Sequence, residues 1–371
     1  MPRLEATPSP VGPSEGYAMA SRTRTHKVLV TGAGGFIGHH LVSRLRAEGH
    51  WVRGVDIKYP DYEQSPANEF LKEDLRSPEA CEKAVEGIQD VYQLAADMGG
   101  IGYITANRAT LSRNNILINS HMLEASRLED VERYFYASSA CVYPSFLQKE
   151  RHARGLRERD AIPADPEMGY GWEKLFAEQL TSYFSADHGL DVRIVRFHNV
   201  YGPMGAYEGG REKSPAAICR KVAEAADGST IEVWGDGNQT RTYCYIEDCI
   251  EGILRIMDSG YVQPLNLGSD RLIAINDLVA LVCGVAGKDL RKIHVRSRPQ
   301  GVRGRSSDNS LLRKIIGWEP ETPLEDGLAR TYLWIWHELN KAGRAAPPAP
   351  SVVPTAAMAA AVADVVAARS S

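Results

Sequence analysis

The chain has 371 residues, 43% hydrophobic and 24% charged, the composition of a soluble globular protein. A formal net charge of −4 gives no reason to expect nucleic-acid binding, and no apolar run is long enough to span a bilayer. The six cysteines (81, 141, 219, 244, 249 and 283) make no C-x-x-C pair and no zinc-ligand spacing, so no metal is expected and a reducing, cytoplasmic compartment suits them.

Residues 1–25 lack the apolar core of a secretory signal and are expected to form a disordered leader, with Met19 as an alternative start. Lys27 to Thr31, KVLVT, reads as a short buried strand. Gly32-Ala33-Gly34-Gly35-Phe36-Ile37-Gly38 follows and opens a helix through Leu45. Gly32, Gly35 and Gly38 give G-x-x-G-x-x-G, and Gly34 supplies the middle position of G-x-G-x-x-G. One glycine makes the tight turn, one lets backbone N–H groups approach a pyrophosphate, and one lets helix pack on strand. The helix N-terminus adds unpaired donors and the positive end of its dipole. Strand, loop and helix in this order favour a dinucleotide cradle over a structural turn, with Phe36 and Ile37 at the cofactor.

Trp51 to Val55 reads as a second strand ending in Asp56, an acid about 20 residues past the loop and placed for the adenosine ribose hydroxyls. It would repel a 2′-phosphate, which favours NAD over NADP, and the nearby Lys58 weakens that preference. Glu69 to Leu75 reads as the third strand, with Asp74 and Leu75 near the adenine. Val91 to Ala96 reads as the fourth, with Ala95 and Ala96 on the nicotinamide side. Tyr134 to Ser138 is the fifth, and Thr105 to Arg127 a long helix. Strands alternating with helical stretches predict an α/β fold with a Rossmann-type, doubly wound parallel sheet. The NAD-binding domain is expected over 26–199 and a smaller, mainly substrate-binding α/β capping region over 200–342, beginning with a Gly-rich loop from Tyr201 to Gly210. Residues 343–371 read as an Ala/Pro-rich tail outside the fold, with a short helix at 356–368. Leu147 to Asp165 reads as an exposed basic loop over the site, and Trp172 as packing.

Tyr170 and Lys174 are four apart, so on a helix they share one face. A neighbouring ammonium favours the phenolate and lowers the tyrosine pKa from about 10. Tyr170 is therefore a candidate base for a hydroxyl whose carbon gives up a hydride. Y-x-x-x-K alone arises by chance; behind a dinucleotide fold it carries meaning. With G-x-x-G-x-x-G and Ser139 it resembles the extended short-chain dehydrogenase/reductase superfamily, whose members oxidise, epimerise or dehydrate nucleotide sugars. The resemblance implies that Ser139 bonds the sugar O4, Tyr170 takes the proton, and Lys174 holds the nicotinamide ribose. It also implies a homodimer through the 105–127 and Tyr170 helices.

Sugar 4,6-dehydratases carry Asp-Glu where this chain has Ala140-Cys141. A thiol is a workable base when a cation lowers its pKa, although a buried cysteine is more often a small hydrophobe. LAADMGG (94–100), SSACVYP (138–144), RFHNVYGP (196–203), GGREKSPA (209–216), WGDGNQTRTY (234–243) and GVRGRSSDNSLL (301–312) together resemble the GDP-mannose 3,5-epimerase family, over roughly residues 27 to 340. That resemblance implies Cys141 and Lys213 as the acid/base pair. It implies substrate contacts at Gly99, Ser139, Ala140, Cys141, Asn199, Glu212, Lys213, Lys221 and Gln239, with Arg241 and Arg303 on the diphosphate. The implied reaction is NAD-dependent inversion of GDP-mannose at C3 and C5 to GDP-L-galactose, with GDP-L-gulose by C5 inversion alone, through a 4-ketone. Lys213 then needs a pKa below its reference value. Two other readings stay open. A 4-epimerase or decarboxylase would use only Ser139, Tyr170 and Lys174, and an NAD-sensing regulator would not need that set intact.

Overall fold

The computed structural model describes residues 25–298 and 300–347. The leader up to residue 24 and the 356–368 segment lie outside the described residues. In chain order the first elements are β1 (Lys27–Thr31), α1 (Phe36–Ala47), β2 (Trp51–Asp56), β3 (Glu69–Lys72), α2 (Pro78–Val85), β4 (Asp90–Gln93), α3 (Ile101–Ala106) and α4 (Arg108–Leu128). Then come β5 (Arg133–Ser139), α5 (Tyr170–His188), β6 (Asp191–Phe197) and α6 (Ser214–Glu224). β1 to β6 and the strand Leu265–Leu267 form one seven-stranded sheet, in the order Leu265–Leu267, β6, β5, β4, β1, β2, β3. All neighbouring pairs are parallel. The order reverses direction between β4 and β1, which opens a crevice beyond the carboxyl ends of those strands.

Alternation along each strand separates two apolar layers. Leu29, Val91, Tyr134, Tyr136 and Ile194 face α4 and α5, packing with Met122, Leu123 and Ala177. Val28, Val30, Phe135 and Val195 face the other way, onto Leu41, Val42 and Leu45 of α1 and Ile250, Ile253 and Met257 of the helix Ile246–Asp258. That second layer runs on without a break through Ile218 and Val222 of α6 to Tyr332 and Ile335 of the helix Leu324–Lys341. The halves on either side of residue 200 therefore share one core. No described helix is long and apolar enough to cross a membrane.

Several segments differ from their sequence expectation. The helix expected from Thr105 to Arg127 is two, α3 and α4, because Asn107 leaves helical geometry at φ −120° and its Nδ2 donates to Tyr103 O (2.9 Å). The fourth strand stops at Gln93 because the Leu94 and Ala95 N–H groups both turn to the Thr31 hydroxyl (2.9 Å each). The third stops at Lys72, and Val200–Tyr201 is a short strand rather than part of the Gly-rich loop. The 147–165 segment is not simply an exposed loop. It buries Leu156 and Ala161, and Asn266 Nδ2 and Arg196 Nη1 donate to its Leu156 and Glu158 carbonyls (2.8 and 2.7 Å). Trp172 is not core packing, for it is 51% exposed, on the outer side of α5 with Phe176 and Tyr183. Residues 343–347 are fastened rather than free. Arg344 pairs with Glu208 and Glu224, and Ala346 N–H bonds to Ala223 O (2.9 Å).

Arg196 and Glu178 form a bidentate pair (2.8 and 2.6 Å) that is nearly or wholly buried on both sides, and Ser138 donates to the same carboxylate. Removing one partner of such a pair strands the other charge. Glu178→Ala should lower the unfolding free energy by about 3–5 kcal/mol, read from the shift of the urea midpoint.

Candidate active site

A cavity of about 740 Å³ lies at the carboxyl edge of the sheet. Its floor is the glycine turn after β1. A Cβ on Gly34 would fall 2.3 Å from the Lys58 carbonyl oxygen, and one on Gly38 2.1 Å from the Gly32 carbonyl oxygen. Only glycine keeps this cradle shallow enough for backbone N–H groups to face a bound phosphate. Asp56 accepts from Gly34 N (3.0 Å) and Lys58 N (3.2 Å), and burial pushes its carboxyl up against those bonds. Asp74 is clamped by the Arg76 guanidinium, which holds its carboxyl below the usual range. Both acids line the cavity, as do Gly32, Gly35, Phe36, Ile37, Leu75, Ala95 and Ala96. These residues fit a dinucleotide.

β5 ends at Ser139, whose hydroxyl accepts the Cys141 N–H (3.2 Å) and starts a 3-10 turn over Ala140–Val142. α5 begins at Tyr170, behind Gly169 at φ +76°. Ser139, Tyr170, Lys174 and Lys213 all line the cavity. Lys174 Nζ donates to Ala137 O (2.9 Å) and sits 5.7 Å from the Tyr170 ring centre. The expectation that Lys174 lowers the Tyr170 pKa is not met within the protein alone. Burial is the largest influence and pushes the phenol well up, and Cys141 and Glu173 add to it. The same burial pulls the Lys174 ammonium down.

Cys141 is half-buried, with Arg305 Nη1 3.5 Å from its sulfur. Arg305 is itself held by Gln148 (2.6 Å) and Glu167 (2.6 Å). Burial and the Glu167 carboxylate push the thiol up, while Arg305 draws it down without fully offsetting them. Lys213, at the N-cap of α6, is pulled down by burial, and the Cys141 and Cys249 thiols oppose that shift. The lowered lysine agrees with the sequence expectation.

The expected substrate residues divide. Gly99, at the start of the segment leading into α3, packs against the Tyr103 side chain, and Ala140 is buried in the 3-10 turn. Gln239 Oε1 and Glu212 Oε2 are buried with no hydrogen-bond partner within the protein. Arg241 donates to the Thr240 and Gln300 carbonyls (2.7 and 3.2 Å), and burial with the nearby Arg305 lowers it to about 10. Asn199, at φ +40°, donates to Thr242 O (3.0 Å). Of the expected substrate residues only Ser139 and Lys213 line the large cavity; Gly99, Ala140, Cys141, Asn199, Glu212, Gln239, Arg241, Lys221 and Arg303 do not. Lys221 donates to Glu232 O (2.9 Å), and Arg303 makes a bidentate pair with Asp236 (2.8 and 2.9 Å). Arg303 instead lines a second cavity, beside Gln148 and Glu167.

Sequence reasoning missed Arg305, Glu167 and Gln148. The G-V-R-G-R segment offers two arginines two apart, and in extended chain such residues share a face, so spacing does not separate them. Which one faces the site depends on Glu167 and Asp236, distant in sequence. Arg305→Gln should raise the Cys141 pKa further, because the charge that favours the thiolate is gone while Glu167 remains. The pH profile of Cys141 alkylation by iodoacetamide, followed by mass spectrometry, reads this shift.

A family model described as the NAD dependent epimerase/dehydratase family matches residues 28–268. The chain is 45% identical to GDP-mannose 3,5-epimerase of Arabidopsis thaliana over 317 residues, covering 85% of this chain and 83% of the relative. It is 44% identical to GDP-mannose 3,5-epimerase 1 of Oryza sativa subsp. japonica, with the same coverage. Among solved structures, UDP-glucose 4-epimerase of Thermotoga maritima, with UDP-glucose, superposes with a TM-score of 0.76 at 25% identity, covering 84% of this chain and 99% of that one. The chain belongs to the NAD dependent epimerase/dehydratase family and, within it, to the GDP-mannose 3,5-epimerases.

Proposed function

We propose that the protein is an isomerase that inverts GDP-mannose at C3 and C5, giving GDP-L-galactose, with GDP-L-gulose when C5 alone inverts. What supports this reading beyond the family is Cys141. Its thiol lies against a buried arginine, in the turn beside Tyr170, and is near enough to Lys213 to act on the ammonium's charge. A 4-epimerase or decarboxylase that uses only Ser139, Tyr170 and Lys174 needs neither group. A regulator that only senses NAD needs none of the five.

Gly32, Gly34, Gly35, Phe36, Ile37, Gly38, Asp56, Asp74, Leu75, Ala95 and Ala96 would hold NAD, which when bound would supply the hydride chemistry at C4. Ser139 hydrogen-bonds the sugar O4, and Tyr170 takes the C4 hydroxyl proton. Burial keeps the phenol protonated at rest, so this step needs the Tyr170 pKa lowered in the bound complex, where Lys174, its Nζ 5.7 Å from the ring centre, is the neighbouring cation. The 4-ketone makes the C3 and C5 hydrogens acidic, since either carbanion is stabilised as an enolate. Cys141, its thiolate favoured by Arg305, removes a proton from one face. Lys213 returns a proton on the other, and its depressed pKa eases that return. Gly99, Ala140, Asn199, Glu212, Gln239 and Arg241 hold the substrate. Lys221 and Arg303 join them by exchanging their present partners.

We further propose a cytoplasmic homodimer. All six cysteines are free thiols, which fits a reducing compartment. Trp172, Phe176 and Tyr183 on α5 and Ile116 on α4 leave an exposed apolar stripe across two helices that pack together. Phe176→Glu together with Trp172→Glu should convert the dimer to monomer in size-exclusion chromatography with light scattering. A wild-type protein that is monomeric at micromolar concentration counts against the dimer.

GDP-mannose incubated with the protein in D2O should gain deuterium at both C3 and C5, seen by NMR, with galacto- and gulo-configured products. Cys141→Ala and Lys213→Ala should each stop epimerisation yet still reduce NAD. Full epimerisation by Cys141→Ala would remove the thiol as the base. Absence of exchange at either carbon in the wild type would turn the reading to a 4-epimerase or decarboxylase.

A further inference from the structure

Lys213 sits at the end of a segment with little to hold it. Gly209 and Gly210 have φ of +88° and +81°, and a Cβ on either would meet nothing within 4 Å. Two glycines in open space leave the chain many conformations. Positioning a proton donor against one face of a sugar ring requires one of them.

The next residue, Arg211, supplies the restraint. Its guanidinium carbon lies 4.0 Å from the centre of the Tyr103 ring, its Nη2 donates to the Tyr103 hydroxyl (2.6 Å), and its Nη1 donates to Met98 O (3.1 Å). Nη2 also approaches Asp97 Oδ1 at 3.4 Å. The Arg211 carbonyl accepts the Gly100 N–H (3.1 Å). Gly100 has to be glycine here, since a Cβ would fall 2.7 Å from the Glu212 carbonyl oxygen.

The far side of this contact is anchored. Asp97 accepts from Tyr103 OH (2.7 Å) and Asn114 Nδ2 (3.0 Å), and its own N–H donates to Asn115 Oδ1 (2.6 Å). Asn115 Nδ2 reaches across to Glu173 Oε1 (2.8 Å), between Tyr170 and Lys174 on α5. A planar, five-donor guanidinium stacked on a phenol ring is suited to this junction in a way an ammonium is not.

We propose that Arg211 and Tyr103 form a clasp that positions Lys213 for proton transfer, tying its loop to the Asp97 network that also reaches the Tyr170 helix. The inference rests on the epimerase reading. Arg211 is half-exposed, so the clasp adds little to global stability. Its effect is local and geometric, and small misplacements of a reacting group are costly. Oxidation at C4 uses groups on β5 and α5, which the clasp does not hold directly.

The test compares wild type, Arg211→Ala, Arg211→Lys and Tyr103→Phe. In Arg211→Ala, amide hydrogen exchange over residues 209–213 should speed up about tenfold or more, with the sheet unchanged. Deuterium entry at C3 and C5 of GDP-mannose should fall about a hundredfold, in kcat rather than KM. Single-turnover reduction of NAD should stay within about twofold of wild type, since the oxidising groups are untouched. Arg211→Lys should recover part of the loss, and Tyr103→Phe should fall between. Unchanged amide exchange in Arg211→Ala would overturn the clasp. So would equal losses of NAD reduction and of C3/C5 exchange, which mark general damage. A wild type that exchanges deuterium beside an equally active Arg211→Ala refutes the clasp alone. A wild type that exchanges none refutes the epimerase reading, and with it this role for Lys213.

Discussion

A Cβ on Gly171 would fall 2.3 Å from the Cys141 carbonyl oxygen, so only glycine lets the first turn of α5 lie on the turn that ends β5. That approach sets Tyr170 and Cys141 beside each other, and the Ser139 hydroxyl, held by the Cys141 N–H, completes the corner. The join is locked from below. Glu178, two turns further along α5, receives both arms of Arg196 from β6 and the Ser138 hydroxyl from β5. Two strands and one helix are thus bound through one carboxylate, buried where water competes little for it. Arg196 also reaches the Glu158 carbonyl, which draws the 147–165 segment onto the same corner.

Burial dominates the charges of the site. It raises Tyr170 and Cys141 and lowers Lys174 and Lys213, so each shift moves its group toward the neutral form. The shifts bring the Cys141 thiol and the Lys213 ammonium closer together in acidity, which suits a reaction in which protons move in both directions. Arg305 stays charged throughout, but Glu167 answers it at 2.6 Å. The Cys141 sulfur therefore lies beside a nearly neutral pair, and the thiolate is aided without being the resting state. This balance explains why the second residue after Ser139 can be a cysteine where a dehydratase has a carboxylate. The thiol needs a cation beside it, and the fold brings one from more than 150 residues away along the chain.

The cofactor half was legible because its signals are local. Strand, glycine turn, helix and acid follow one another within about 30 residues, and each element depends on near neighbours. Errors arose where a distant group decided. The Thr31 hydroxyl ends β4 by taking the Leu94 and Ala95 amides, and no pattern within 91–96 reveals that. Arg303 and Arg305 are equivalent in sequence, and Asp236 and Glu167 separate them. The sign of the Tyr170 shift was misjudged for a related reason. Spacing along a helix shows that a lysine is near, but not how far water has been removed from both groups.

Closure over the cofactor follows the same logic. After β2, Tyr62 stacks on Tyr207 with ring centres 6.1 Å apart and meets Trp334 edge-on at 4.7 Å. Glu63 bonds His39 on α1 at 2.6 Å. Pro60 through Glu63 line the cavity, so this segment covers it using contacts from both halves of the chain. A dehydrogenase must release reduced NAD on every turnover, and a cover fixed by three aromatic rings would slow that step. An epimerase that returns its hydride has no such requirement. It gains from a dry site, where each hydrogen bond and charge acts in a lower dielectric. On the proposed reaction, the aromatic cover and the burial of the acid/base groups serve one demand, keeping water out of the site until the hydride is back on C4.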